Sequence, residues 1–145
     1  MVCLRFFTVY GPRQRPEMAI SKFVQLLLNG EKIPMFGDGS TLRDYTYIDD
    51  IVNGVIRSLD KAKGYRIYNL GGQNPIRLDN LIDIIGKATG VKPRIEAHPD
   101  QPGDVRITSA DCTLANKEIG YEPIVTLPEG VRRYVTWHRL HRSGA

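Results

Sequence analysis

Val2-Cys3-Leu4-Arg5-Phe6-Phe7-Thr8-Val9-Tyr10 runs directly into Gly11-Pro12 near the start of the chain. Branched and aromatic residues dominate the segment, and Gly-Pro halts it, so it reads as a strand entering a turn. Arg5 is its single charge, which predicts cover on both faces, as in a parallel sheet. Such a strand needs neighbours, either later in the chain or outside it. An edge left unpaired invites association.

Downstream, the spacing predicts a helix over 17–29: Ile20, Phe23, Val24, Leu27 and Leu28 share one face, and Gly30 stops it. Ile33 to Phe36 reads as a short strand ended by the loop Gly37-Asp38-Gly39-Ser40. Arg43 to Tyr47 alternates and meets Asp49-Asp50, read as capping acids. The helix they would cap carries Ile48, Ile51, Val52, Val55, Ile56 and Leu59 at helical spacing. Tyr65 to Leu70 follows as a strand, Gly71-Gly72 as a turn, and 78–89 as a helix with Leu78, Leu81, Ile82 and Ile85 inward. Arg94 to Ala97 reads as a short strand and 98–104, with two prolines and a glycine, as an irregular loop. Asp111 caps a short helix ending at Gly120 in this reading. Thr126-x-x-Glu129 forms a capping box for a last helix with Val131, Tyr134, Val135 and His138 inward. The order is that of a mixed α/β lobe, with 1–145 as one unit.

Composition narrows the class. The 145 residues are 41% hydrophobic and 25% charged, a globular balance. Apolar runs such as Leu26-Leu27-Leu28 are too short to span a bilayer, and the N-terminus has no secretory leader pattern. Cys3 and Cys112 are too few for a disulfide framework or a zinc site and read as buried thiols. A cytoplasmic, soluble domain is the expectation. A net charge of +4 is too mild to imply nucleic-acid binding.

Catalytic patterns are lacking in this sequence. Gly37-Asp38-Gly39 has Leu42 where a dinucleotide loop needs its third glycine, and no Tyr precedes a Lys by four places. His138 and His141 read as surface or packing residues rather than metal ligands. Binding signals are richer, and each has two readings. Arg43, after a glycine-rich loop, is either a phosphate fork or half of a structural pair with Asp44. Arg13 and Arg15, beyond the Gly-Pro turn, either enter a cleft or sit in a solvated loop. Asp104 either accepts from ribose hydroxyls or holds a turn. Phe36 either packs a base or joins the core. Arg132, Arg133, Arg139 and Arg142 read as a solvated helix face.

In order, these motifs resemble one family. Leu4-Arg5-Phe6-Phe7-Thr8-Val9-Tyr10-Gly11-Pro12 with Arg15-Pro16, Ile33-Pro34-Met35-Phe36-Gly37-Asp38-Gly39-Ser40-Thr41, Arg43-Asp44-Tyr45, Tyr68-Asn69-Leu70-Gly71, Gln101-Pro102-Gly103-Asp104 and Gly120-Tyr121-Glu122-Pro123 are similar to extended short-chain dehydrogenase/reductases acting on nucleotide sugars. Within that NAD-dependent epimerase/dehydratase family the chain looks most like UDP-glucuronate 4-epimerases. The resemblance implies the C-terminal, substrate-binding lobe of a Rossmann-type fold: the last sheet strands plus a small mixed α/β region. It implies that Thr8 and Arg15 contact the sugar and its carboxylate, Arg43 the pyrophosphate, Phe36 the uracil, and Gln101 and Asp104 the nucleoside. Arg5 would be structural. The sequence departs from the pattern at Arg13-Gln14, where glucuronate enzymes often carry Trp and Gly, and around Arg106-Ile107-Thr108-Ser109. The family's Gly-rich NAD loop and Tyr-x-x-x-Lys pair are not in this sequence. The resemblance therefore implies that NAD belongs to a separate N-terminal half and that this chain alone is catalytically silent. A UDP-sugar is the implied ligand, and a homo-oligomer or a separate Rossmann chain the implied partner, with neither nucleic acid nor membrane. Rival readings are the same lobe from a dehydratase or decarboxylase, and a non-catalytic nucleotide-sugar-binding module.

Overall fold

The computed structural model describes residues 1–142. In chain order the elements are β1 (Val2–Phe6), β2 (Thr8–Tyr10), α1 (Ala19–Leu28), β3 (Ile33–Phe36), β4 (Leu42–Arg43), β5 (Tyr45–Tyr47) and α2 (Ile48–Lys61), then β6 (Arg66–Leu70), β7 (Ile76–Arg77), α3 (Leu78–Thr89), β8 (Ile95–His98), α4 (Thr113–Ile119) and α5 (Leu127–Arg142). The strands pair two by two. β1 lies parallel to β6, β2 to β5 and β3 to β8, while β4 and β7 run antiparallel.

The opening segment differs from its sequence reading. It is two strands, because the chain changes partner at Phe7: the Phe7 N–H donates to the Leu70 carbonyl and the Thr8 N–H to the Asp44 carbonyl. Nor is it covered on both faces. Phe6 is 51% exposed and Ile67, on the paired strand, 40%. Among the described residues β1 has one hydrogen-bonded neighbour, β6, and no strand on its other edge.

Two apolar clusters hold the elements together. Ile20, Phe23, Val24 and Leu27 of α1 meet Leu81, Ile82 and Ile85 of α3 and Val131, Tyr134 and Val135 of α5. Both helical faces are those that the 3.6-residue period marks, and Gly90 ends α3 with φ +72°, a conformation that favours glycine. In the second cluster, Tyr68 and Leu70 of β6 pack on Ile51, Cys112, Ala115, Ile119 and Tyr121.

Several local expectations are overridden by tertiary contacts. In α2 only Ile51 of the apolar set is fully buried, while Val52, Ile56 and Leu59 form an exposed stripe. Asp50 does not cap α2. Its carboxylate accepts the Ile124 and Val125 N–H groups at 3.1 and 3.0 Å, pinning the approach to α5. Asp49 faces Arg133 at 3.7 Å. Glu129 takes Arg132 and Arg133 as partners, so no capping box with Thr126 forms. Asp111 is not the cap of α4: Cys112 holds that position without a side-chain cap bond, and Asp111, one residue earlier, accepts the Thr113 N–H at 3.0 Å. The basic face of α5 is not simply solvated: Arg133 lies over the Tyr47 ring and Arg139 donates to the Thr89 carbonyl. The side chain of Arg142 lies outside the described residues. His138 is half-buried against Tyr134. Cys112 is buried but Cys3 only half so, and burial pushes the Cys112 thiol up to about 11. Arg5 is exposed rather than built into the interior.

Glu118 joins α4 to β6, accepting from the Tyr68 hydroxyl and from Arg66 Nε, both at 2.7 Å. These bonds, Tyr68 first, hold its carboxyl below the ordinary glutamate value. A depressed folded pKa contributes stability that is complete above the unfolded value and is lost as pH falls through the folded one. We expect Glu118→Gln to lower Tm at neutral pH, and the gap to wild type to close as pH falls through and below the ordinary glutamate range, read by thermal melts across an acid series.

Candidate functional site

The predicted site residues fall around two cavities. The first, of about 410 Å³, is built by Phe7, by β2 and by the turn that follows, with Thr8 and Arg15 in its wall. That turn closes through Gln14 N–H to the Gly11 carbonyl and Met18 N–H to the Arg15 carbonyl. It holds Arg13 at φ +64°, a left-handed conformation sparsely used by residues other than glycine. The Arg15 side chain is 76% exposed and contacts its near neighbours in sequence, Glu17 at 3.4 Å and Met18 Sδ at 3.7 Å. The Gln14 carboxamide also faces this region, with both polar atoms enclosed and no hydrogen-bond partner. Gln14 had no assigned role in the sequence; only an unpaired amide in the folded chain exposes it.

The second cavity, of about 620 Å³, lies between the β3–β4 loop and the loop after β8. Phe36, Gln101 and Asp104 all line it. Phe36 stacks on His98 with centroids 5.1 Å apart, and is 36% exposed, so it is wall rather than core. The Gly37 N–H donates to the His98 carbonyl and the Asp104 N–H to the Gln101 carbonyl, which ties the two loops into one rim.

Arg43 and Asp44, adjacent in sequence, do not pair. Successive residues of extended chain point to opposite sides. Arg43 donates to the Leu42 carbonyl at 2.9 Å and forms an ion pair with Asp104. Asp44 goes inward with no exposed surface and accepts the N–H groups of Gly72, Gln73 and Ala110 at 2.7, 3.0 and 2.8 Å. Gly71-Gly72 is what admits this approach. A Cβ on Gly72 would lie 2.8 Å from Asp44 Oδ1, and one on Gly71 2.3 Å from Ala110 Cβ. Because the Asp44 carbonyl also holds Thr8 N–H, this residue links the strand of the first cavity to the arginine beside the second.

Burial pushes Tyr45 up to about 12 and Tyr10 and Tyr121 higher still, the wrong direction for a phenolate base. No group of three or more potential metal ligands occurs among the described residues. No described helix is long and apolar enough to cross a membrane.

This fold, mixed α/β with its polar residues collected on loops at strand ends, is the arrangement of Rossmann-type enzymes. Residues 1–71 match the NAD dependent epimerase/dehydratase family. Over 137 residues the chain is 43% identical to a UDP-glucuronate 4-epimerase of Thermodesulfobacterium geofontis, covering 94% of this chain and 42% of the relative. It superposes on UDP-glucose 4-epimerase of Thermotoga maritima with UDP-glucose (TM-score 0.92, 33% identity, 97% of this chain, 46% of that one). A similar match is UDP-glucuronic acid 4-epimerase of Bacillus cereus in complex with UDP-glucuronic acid and NAD (TM-score 0.91, 33% identity, 97% and 45%). Residues 1–71 thus carry an epimerase family domain, and nearly the whole chain is similar to these enzymes. It spans less than half the length of these relatives, and its fold is consistent with their C-terminal lobe.

Replacing Asp44 by Asn sets an amide donor against backbone donors in a buried site. Asp44→Asn should cost about 2–4 kcal/mol of stability. Urea unfolding reads the loss, and an unchanged midpoint would remove Asp44 from its role as the hub of the site.

Proposed function

We propose that residues 1–145 form a single lobe that binds the UDP-sugar of a UDP-glucuronate 4-epimerase. The observation that carries the reading is the juxtaposition of an aromatic wall, Phe36, with Gln101 and Asp104 at one cavity, with Arg43 paired to Asp104 behind its lining and one backbone bond from Asp44 to the strand bearing Thr8 at the other. The uracil packs on Phe36, the ribose hydroxyls donate to Asp104 and Gln101, and Arg43 meets the diphosphate. Arg15, a cation on an exposed turn, and the Thr8 hydroxyl take the sugar carboxylate. Positioning the ring is this lobe's whole contribution, and it moves no proton and no hydride.

The residues described here do not suit NAD. A dinucleotide pyrophosphate needs glycine turns open toward a helix N-terminus. In this chain Gly71-Gly72 closes on Asp44 and Gly37 on the Asp100 carboxylate, while Gly39 is closed off by Met35 Sδ and by the Cβ and backbone of Asp79. The redox step belongs to a nucleotide-binding half, either in the same polypeptide or in a partner chain. The open edge of β1 and the Val52, Ile56 and Leu59 stripe of α2 are where that half adds its sheet. A parallel β1–β6 pair joined through α2 extends naturally by one more parallel strand with its helix on the same face. Such an enzyme draws on nucleotide sugars of the cytoplasm.

Calorimetry of the chain with UDP should show saturable binding that Arg43→Ala weakens at least about tenfold; flat titrations would end this reading. Arg15→Ala should weaken UDP-glucuronate about tenfold and UDP-glucose about twofold or less, and equal losses would exclude the uronate assignment. The chain with UDP-glucuronate and NAD should yield no C4 inversion by NMR.

A further inference from the structure

We propose that Asp104 is a latch on Arg43: a diphosphate reaches the guanidinium only by displacing this carboxylate. The inference rests on the nucleotide-sugar reading of the second cavity. Three observations support it. First, Asp104 lines that cavity and Arg43 does not, so an anion inside meets the acid before the base. Second, the guanidinium is held from both sides, by the Leu42 carbonyl and by Asp104, and is only 23% exposed. Third, the lining carries Asp38, Asp100 and Asp104 against a single cation, Arg106. Such a surface repels a diphosphate unless Arg43 is freed to turn toward it.

Asp104 lies on a loop, whereas the backbone of Arg43 is fixed in a strand and only its guanidinium can turn. Arg43 sits in β4, paired with Ile76 of β7, and next to it in sequence Leu42 bridges Ile107. Asp104 follows Pro102-Gly103 in the irregular loop after β8, with its side chain 45% exposed. Exchange of the carboxylate for a phosphate oxygen keeps the guanidinium paired throughout and shifts the loop that bears Gln101. The released carboxylate is then free to accept from ribose hydroxyls. Anion capture and closure on the nucleoside thus become one event.

The test uses the full chain with inorganic pyrophosphate and uridine as separate probes, and UDP as the control for the site itself. Asp104→Asn, which keeps the shape and removes the charge, should tighten pyrophosphate about five- to tenfold and weaken uridine. Asp100→Asn removes the same charge from the same cavity without touching Arg43 and should change pyrophosphate by about twofold or less. The gain from Asp104→Asn should vanish when Arg43 is Gln. Weaker pyrophosphate binding by Asp104→Asn would make Asp104 a mere support for Arg43 and overturn the latch. An equal gain from Asp100→Asn, a gain surviving Arg43→Gln, or no pyrophosphate binding by either chain would overturn it too. If wild type also fails to bind UDP, the nucleotide reading falls; if UDP binds and only these patterns fail, the latch alone falls.

Discussion

A single buried carboxylate organises this chain. Asp44 has no exposed surface and no cation beside it, and is satisfied by three backbone N–H groups drawn from two distant segments. Charge-assisted bonds of this kind are strong because the alternative, an uncompensated buried anion, is so costly. They fix the Gly71-Gly72 turn and the Ala110 segment relative to β4 and β5. Everything that reads as a binding site hangs on those pieces: Arg43 precedes Asp44, Thr8 bonds to its carbonyl, and Thr108 accepts its N–H. Asp50 repeats the device at smaller scale, drawing two N–H groups more than seventy residues away onto the start of α2.

Much of the helical half was legible in the sequence. The predicted span 78–89 coincides with α3, and the inward faces of α1 and α3 are those their spacing marked. Helical periodicity is local, so it survives without knowledge of neighbours. The sheet was less legible, because strand breaks are set by partners. Nothing in Phe6-Phe7-Thr8 announces that β1 pairs with β6 while β2 pairs with β5. The apolar stripe of α2 was visible, but its exposure was not, since periodicity says which residues share a face and not what covers it.

For the site, the family motifs pointed to Phe36, Gln101 and Asp104, and the fold brings these together at one cavity. Adjacency misled at Arg43 and Asp44, which an extended backbone turns apart. It misled again at Asp49 and Asp50, where a helix-start reading was sound locally and lost to a long-range demand for acceptors. Gln14 stood out in the sequence only as part of the Arg13-Gln14 departure from the family pattern, because an unpaired amide is a property of the folded surroundings.

The open edge of β1 also bears on how the chain is made. Val2 pairs with Arg66, so the strand must wait for more than sixty further residues to be synthesised before β6 exists. During that interval the edge that β6 will take is bare, and long-range pairings of this sort are slow and prone to misassembly. A nucleotide-binding sheet already folded on the ribosome would offer β1 a template from the other side. The second apolar cluster, built on β6, would then grow outward from an edge that was ordered before its own partner strand emerged.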